Sequence, residues 1–123
     1  MNEKECVRRF IREFPEYKSQ YDDHILRNGK LHIHVFFGEI NSLFIRTKLD
    51  EPEKAEAYFR FVEMMDREGD EAVRKIVRHT ILERLQDEPE AWEVFMKTAS
   101  PEFIKRAEEL LEALGKTAEY DEE

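Results

Sequence analysis

The stretch "LHIHVFFGEI", Leu31–Ile40, decides how the chain is read. As a β-strand it turns Leu31, Ile33 and Val35 to one face and sets His32 and His34 together on the other, like two metal ligands. As the opening of an α-helix it parts the histidines, because residues two apart on a helix lie about 200° around the axis. A wider window separates the two. From His32 to Lys48 the apolar residues are Ile33, Phe36, Phe37, Ile40, Leu43 and Phe44, followed by Thr47, at spacings of 3, 1, 3, 3, 1 and 3. That is one broad helix face. The strand reading fails at the adjacent Phe36 and Phe37, so a helix is expected over roughly 32–48.

The flanking chain carries the same period. Cys6, Val7, Phe10, Ile11 and Phe14 form a stripe that stops before Pro15, and Pro15 is expected to open the next helix. There Tyr17, Tyr21 and Ile25 or Leu26 form the stripe, closed by Gly29 as a left-handed cap. After Asp50, Glu51 and Pro52, a helix buries Ala55, Tyr58, Phe59, Val62 and Met65 or Met64. Gly69 caps it, Asp70 starts the next, and Val73, Ile76, Val77, Thr80, Ile81 and Leu85 face inward. "DEPEAW" opens a short helix with Trp92, Phe95 and Met96 inside. "SPEF" opens the last, with Ser100 as N-cap and Gly115 as its end. The expected fold is all-α, six to seven helices in antiparallel hairpins, a single domain over 1–115 with a frayed acidic tail over 116–123.

Composition limits the function classes. Apolar residues make up 41% and charged residues 40%, with four Gly and four Pro, which favours helices around a core inside a charged shell. The net charge of −9 is uneven: residues 1–49 carry nine Lys/Arg against seven Asp/Glu, and residues 50–123 carry eleven against twenty-two. A surplus of acid argues against nucleic-acid binding, which needs a basic face, and is compatible with a basic protein partner. No apolar run reaches the roughly 18 residues of a membrane span, and the N-terminus has no apolar signal segment. One cysteine, Cys6, cannot form an internal disulfide, so a cytoplasmic location is expected.

Two resemblances follow from the motifs. "GDEAVRKIV" looks like the start of the second helix of a HEAT-type repeat, so the pair at 52–86 is HEAT-like, although no second copy recurs at a fixed period. "FPEYKSQYDDHILRNGKLHIHVFFGEI", followed by "FVEMMDREGDEAVRKIVRHTILERL", resembles small, uncharacterised, acidic bacterial all-helical domains, over roughly residues 10–95. Related helical domains are regarded as immunity proteins encoded beside polymorphic or contact-dependent toxins. The resemblance implies a fold and a protein-binding role against a basic toxin enzyme, and no mechanism.

The candidate chemistry is sparse. No H-x-x-x-H, C-x-x-C, phosphate loop, dinucleotide glycine pattern or G-x-S-x-G occurs, so no catalytic residue, metal ligand or cofactor is expected and the chain is read as a non-enzyme. The alternative is a ligand- or metal-binding domain, enzymatic or not, using His24, His32 and His34. His79 and Glu83 stand at i, i+4 but have no nucleophile beside them, and Cys6 falls on an apolar stripe. Gly38 interrupts a helix at a cost of about 1 kcal/mol against alanine, which close approach of a neighbour or partner would offset. It shares a lateral face with His34, Asn41 and Ile45. The expected partner surface is Glu63, Asp66, Glu71, Arg74 and Arg78, with His34, Gly38 and Asn41 as a second patch. A homodimeric adaptor role is the remaining alternative.

Overall fold

Helices begin and end where the local chemistry asks them to. The Asn2 side chain accepts the Glu5 N–H at 2.9 Å, Asp70 accepts that of Val73 at 3.1 Å, and Ser100 accepts that of Phe103 at 3.1 Å. Pro52, Pro89 and Pro101 occupy first turns, where a missing N–H costs nothing. Gly29, at φ 76°, closes its helix in the left-handed region and donates to the Ile25 carbonyl at 2.8 Å.

The computed structural model describes residues 1–122, with side chains described as far as Gly115. It contains seven helices: α1 (Glu3–Glu13), α2 (Lys18–Asn28), α3 (Ile33–Thr47), α4 (Pro52–Glu68), α5 (71–87), α6 (Pro89–Thr98) and α7 (Pro101–Glu122). No strand occurs among the described residues, and the chain is an all-α single domain. His32 is the N-cap of α3, so the opening stretch is a loop entering a helix.

Two boundaries differ from the sequence reading. Pro15 opens a short 3-10 turn, Pro15–Tyr17, and α2 starts after it. Gly69 caps α4 where expected, in an extended conformation with φ −74° and ψ 153°. Its glycine is required by space, since a Cβ there would collide with the Met65 carbonyl and the Val73 side chain. The same turn is held from outside, where the Asp70 N–H donates to the Met1 carbonyl at 2.8 Å. Helix α7 continues through Gly115, which does not take the positive φ that makes a glycine a stop signal. The expected frayed tail at 116–123 lies outside the residues whose side chains are described.

The core is aromatic. The Phe10 ring lies 5.0 to 6.5 Å from those of Phe14, Tyr17, Phe36, Phe37, Tyr58 and Phe61, mostly edge-on. Tyr58 passes the packing to Phe59, and Phe59, Phe95 and Phe103 continue it at 5.0 and 5.7 Å under α6 and α7. The face expected of α3 is buried at Ile33, Phe36, Phe37, Ile40 and Phe44, while Thr47 is exposed and returns its hydroxyl to the Leu43 carbonyl. On α2 the buried residue is His24, and Leu26 is 84% exposed. On α6 it is Phe95 with Ala91, whereas Met96 is 42% exposed and Trp92 half-buried.

Helix α5 holds the main surprise. Its middle, Ile76–Leu82, is π-helical, between α-helical Glu71–Lys75 and Glu83–Asp87. In a π turn, residues five apart lie above one another. The pairs Ile76/Ile81 and Val77/Leu82 have that spacing, and all four side chains are fully buried. An α-helix would place each pair about 140° apart and expose part of it. The wide turn packs against α3, α4 and α7, and its Ile81 carbonyl accepts from the Asn41 amide at 3.4 Å. The Asn41 oxygen in turn accepts the Tyr58 hydroxyl at 2.7 Å. Asn41 is fully buried, so these bonds stand in for water.

Two outcomes are expected. Asn41→Ala strands the Tyr58 hydroxyl and the Ile81 carbonyl in the core and lowers stability by about 2–4 kcal/mol in urea unfolding. Alkali acts on the same region. Burial pushes the Tyr17 phenol up to about 12 and the Tyr58 phenol well above its usual value. Both phenols ionise more readily in the unfolded chain, so stability present below about pH 10 is lost as pH rises toward and past 12. Tyrosinate absorbance should show these two rings ionising together with the loss of helical circular dichroism.

Candidate functional site

The residues singled out from sequence fall in two places and part company there. Glu63 and Asp66 from α4 and Arg74 from α5 line one cleft of about 290 Å³, with Arg67, Glu102 and Arg106. Phe103 forms part of its wall. Glu71 and Arg78 lie along α5 and pair with each other at 2.7 Å.

The cleft is built by helix spacing. Glu63, Asp66 and Arg67 occupy i, i+3 and i+4 on α4, and Glu102, Phe103 and Arg106 occupy i, i+1 and i+4 on α7, so each set shares one face. Arg106 Nε donates to Asp66 Oδ2 at 3.1 Å, and Arg74 Nε donates to the Asp66 backbone carbonyl at 3.1 Å. Glu63 accepts the Ser100 hydroxyl at 3.0 Å, and Ser100 also caps α7, so this carboxylate fixes the start of that helix against α4. The Asp66 side chain is only 10% exposed, and its Oδ1 has no partner among the described residues. Arg78 Nε is likewise buried without one. Each leaves a polar atom on this face short of a hydrogen bond.

The cleft is mixed in charge, like the set of residues expected there. Three arginines face three carboxylates in the lining, so it is balanced. The surplus acid lies around it, on exposed positions such as Glu71, Glu90, Glu108 and Glu109. Exposed ion pairs like Glu93–Lys97, at 2.9 Å, contribute little stability each but set the field that a partner meets.

The second patch dissolves into structure. Asn41 is a core residue. His34 is exposed, with Nδ1 hydrogen bonded to Thr80 Oγ1 at 3.1 Å across to the π segment. Gly38 lies beneath Thr80, beside a shallow groove that Val35, Ser42, Arg46 and Arg84 also line. A Cβ on Gly38 would meet Thr80 Cγ2 at 3.8 Å, an ordinary contact, so close packing does not demand the glycine. Ile45, on the same lateral face, is half-buried.

His24 and His32 come together at the start of α3, their rings 6.2 Å apart and edge-on, while His34 turns to Thr80. His24 is fully buried, and its Nε2 accepts the His32 backbone N–H at 2.9 Å, which ties the loop to the start of α3. His32 and His34 are exposed, and no group of three or more His, Cys, Asp or Glu arranged to hold a metal occurs among the described residues. His79 and Glu83 meet at 3.0 Å on an exposed helix face. Cys6 is fully buried, and burial pushes its thiol up to about 12, far from the thiolate a nucleophile needs.

Sequence reasoning missed Arg67, Glu102 and Arg106. The spacing of Glu102 and Arg106 was visible, but not which helix α7 would lie on. A family model described as a domain of unknown function, DUF7674, matches residues 7–114. No curated protein matches the chain, and no solved structure does.

The two glycines separate by substitution. Gly69→Ala should destabilise by about 1–3 kcal/mol through overpacking. Gly38→Ala should be neutral or stabilising by up to about 1 kcal/mol through helix propensity. Thermal melts of both variants give the comparison.

Proposed function

This chain belongs to the DUF7674 family, and from that footing we propose that it is a protein-binding module which docks a basic partner on the face formed by α4, α5 and α7. The partner class is a toxin enzyme that the protein occludes, as an immunity protein does. The observation that carries this reading is the meeting of Glu63, Asp66 and Arg74 in one cleft, inside a region that carries the whole acid surplus of the chain. Excess acid over residues 50–123 speeds the encounter with a basic surface, and the mixed cleft sets register once the two touch.

The surrounding facts agree with an interaction role. The histidines do not form a shared ligand set, and Cys6 is not poised for attack. No described helix is long and apolar enough to cross a membrane, and a lone cysteine suits the cytoplasm we assign.

Binding to the product of the adjacent reading frame, measured by calorimetry, tests the proposal. A complex is expected that weakens about tenfold between low and physiological salt and again on the double change Glu71→Lys, Glu102→Lys. Absence of a complex, or one indifferent to both, would sink it. A chain that instead sediments as a dimer, disrupted by the same double change, would reassign the face to self-association.

A further inference from the structure

A second surface has the opposite character. Between α1 and α2 runs an open groove of about 390 Å³. Its floor is apolar: Val7 and Ile11 from α1, Tyr21 and Ile25 from α2, and Leu31 from the loop that follows. The two pairs are each spaced i, i+4, so each forms a ridge along its own helix, with the groove between them. His24 explains why this surface stays outside. It takes the core position of α2 and binds the His32 backbone, which leaves Tyr21 and Ile25 half-buried at the groove.

The charged residues that line the groove are all cations. Lys4, Arg8 and Lys18 stand along it, and no carboxylate is among its lining residues. Lys18 is neutralised by Asp22 at 2.6 Å, but neither Lys4 nor Arg8 makes an ion pair among the described residues. Both are exposed. That is notable in a chain of net charge −9 whose other helices are laced with ion pairs.

We propose that the α1–α2 groove is a docking site for an acidic amphipathic helix of a partner protein. Shape and charge both lead to this occupant. Two ridges at i, i+4 spacing make the channel into which a third helix packs its own i, i+4 row. The span from Lys4 to Ile11 is about 10 Å of helix, which matches two turns of the incoming segment. Glu or Asp flanking its apolar row would meet Lys4 and Arg8. The site is separate from the α4–α5–α7 face and takes a ligand of opposite charge, so it does not depend on the role proposed for that face.

The probes are two 16-residue synthetic helices sharing leucines at i, i+3, i+4 and i+7, one with glutamates and the other with lysines at the flanking positions. Fluorescence anisotropy is read with the full chain and with the double variant Lys4→Glu, Arg8→Glu, whose fold is checked by circular dichroism. The glutamate helix should bind at least tenfold more tightly than the lysine helix, and the double variant should reverse the preference. Ile11→Ser should weaken the glutamate helix without reversing it. Equal affinity for the two helices, no binding of the glutamate helix, or a preference unmoved by the double variant overturns the proposal. Sodium dodecanoate that displaces the glutamate helix and binds in its place with the same dependence on Lys4 and Arg8 would overturn it in favour of a lipid carboxylate. A dimer of the free chain broken by the double variant would overturn it in favour of a second copy. The Glu71→Lys, Glu102→Lys variant should bind the glutamate helix unchanged, which separates failure of this site from failure of the acidic face.

Discussion

A single buried amide holds the architecture together. Asn41 lies on α3 with its oxygen on the Tyr58 hydroxyl of α4 and its nitrogen on the Ile81 carbonyl of α5. Three helices therefore share one polar joint within a largely apolar interior. A buried amide that lost these partners would cost more than the net worth of its bonds, so packings that break the joint are disfavoured. The joint also bears on the π segment. A wide turn disturbs the regular pairing of backbone carbonyls, and the Asn41 amide supplies a donor to one of them. In return the wide turn carries Ile76, Val77, Ile81 and Leu82 inward together, and α3, α4 and α7 close around them.

Around this joint the aromatic rings divide the labour. Phe10 gathers α1, the Pro15–Tyr17 turn, α3 and α4, stacking beside Tyr17 and edge-on to Phe36, Phe37, Tyr58 and Phe61. Phe59, Phe95 and Phe103 gather the last two helices onto α4. Tyr58 belongs to both groups, stacked on Phe44 at 4.1 Å and touching Phe59. With the core thus organised, chemistry-bearing residues such as Cys6, His24 and Asn41 are spent on structure. Recognition is left to the outside. There the chain presents two unlike surfaces, a mixed-charge cleft within the acidic half and a cationic apolar groove on the N-terminal helices. In the binding role proposed above, two such faces would distinguish partners by charge before contact and by shape after it.

The fold was legible where periodicity and punctuation agree. On α3, seven positions define the expected inward face; Ile33, Phe36, Phe37, Ile40 and Phe44 are buried, Leu43 is half-buried and Thr47 is exposed. Caps at Ser100 and Asp70 were equally readable, because a side-chain acceptor three residues before an orphan N–H is a local matter. The failures share a cause as well. Ile25 or Leu26 was assigned to the interior and His24 was not, because hydrophobicity ranks them so. In the structure the His24 ring nitrogen satisfies the loop N–H of His32, and a satisfied polar group is at home inside. Leu82 was missed because a 3.6-residue period was imposed on a segment that turns more slowly. The signal was present, as the spacing of five that joins Ile76 to Ile81 and Val77 to Leu82.

The candidate site was half legible for a similar reason. Glu63, Asp66 and Arg74 were named from charge and helix position, and they meet in one cleft, but their partners Glu102 and Arg106 lie some forty residues on. By itself the sequence determined the helices, most of their inward positions, their caps, and the concentration of acid after residue 50, because propensity, period and charge are local or additive properties. Tertiary structure alone decided which polar groups are buried and which helices meet one another. It paired Asn41 with Tyr58 and Ile81, turned Tyr21 and Ile25 to the outside, and brought α7 across α4. Those outcomes depend on satisfying hydrogen bonds and filling space between segments far apart in the chain, and neither is written in any one of them.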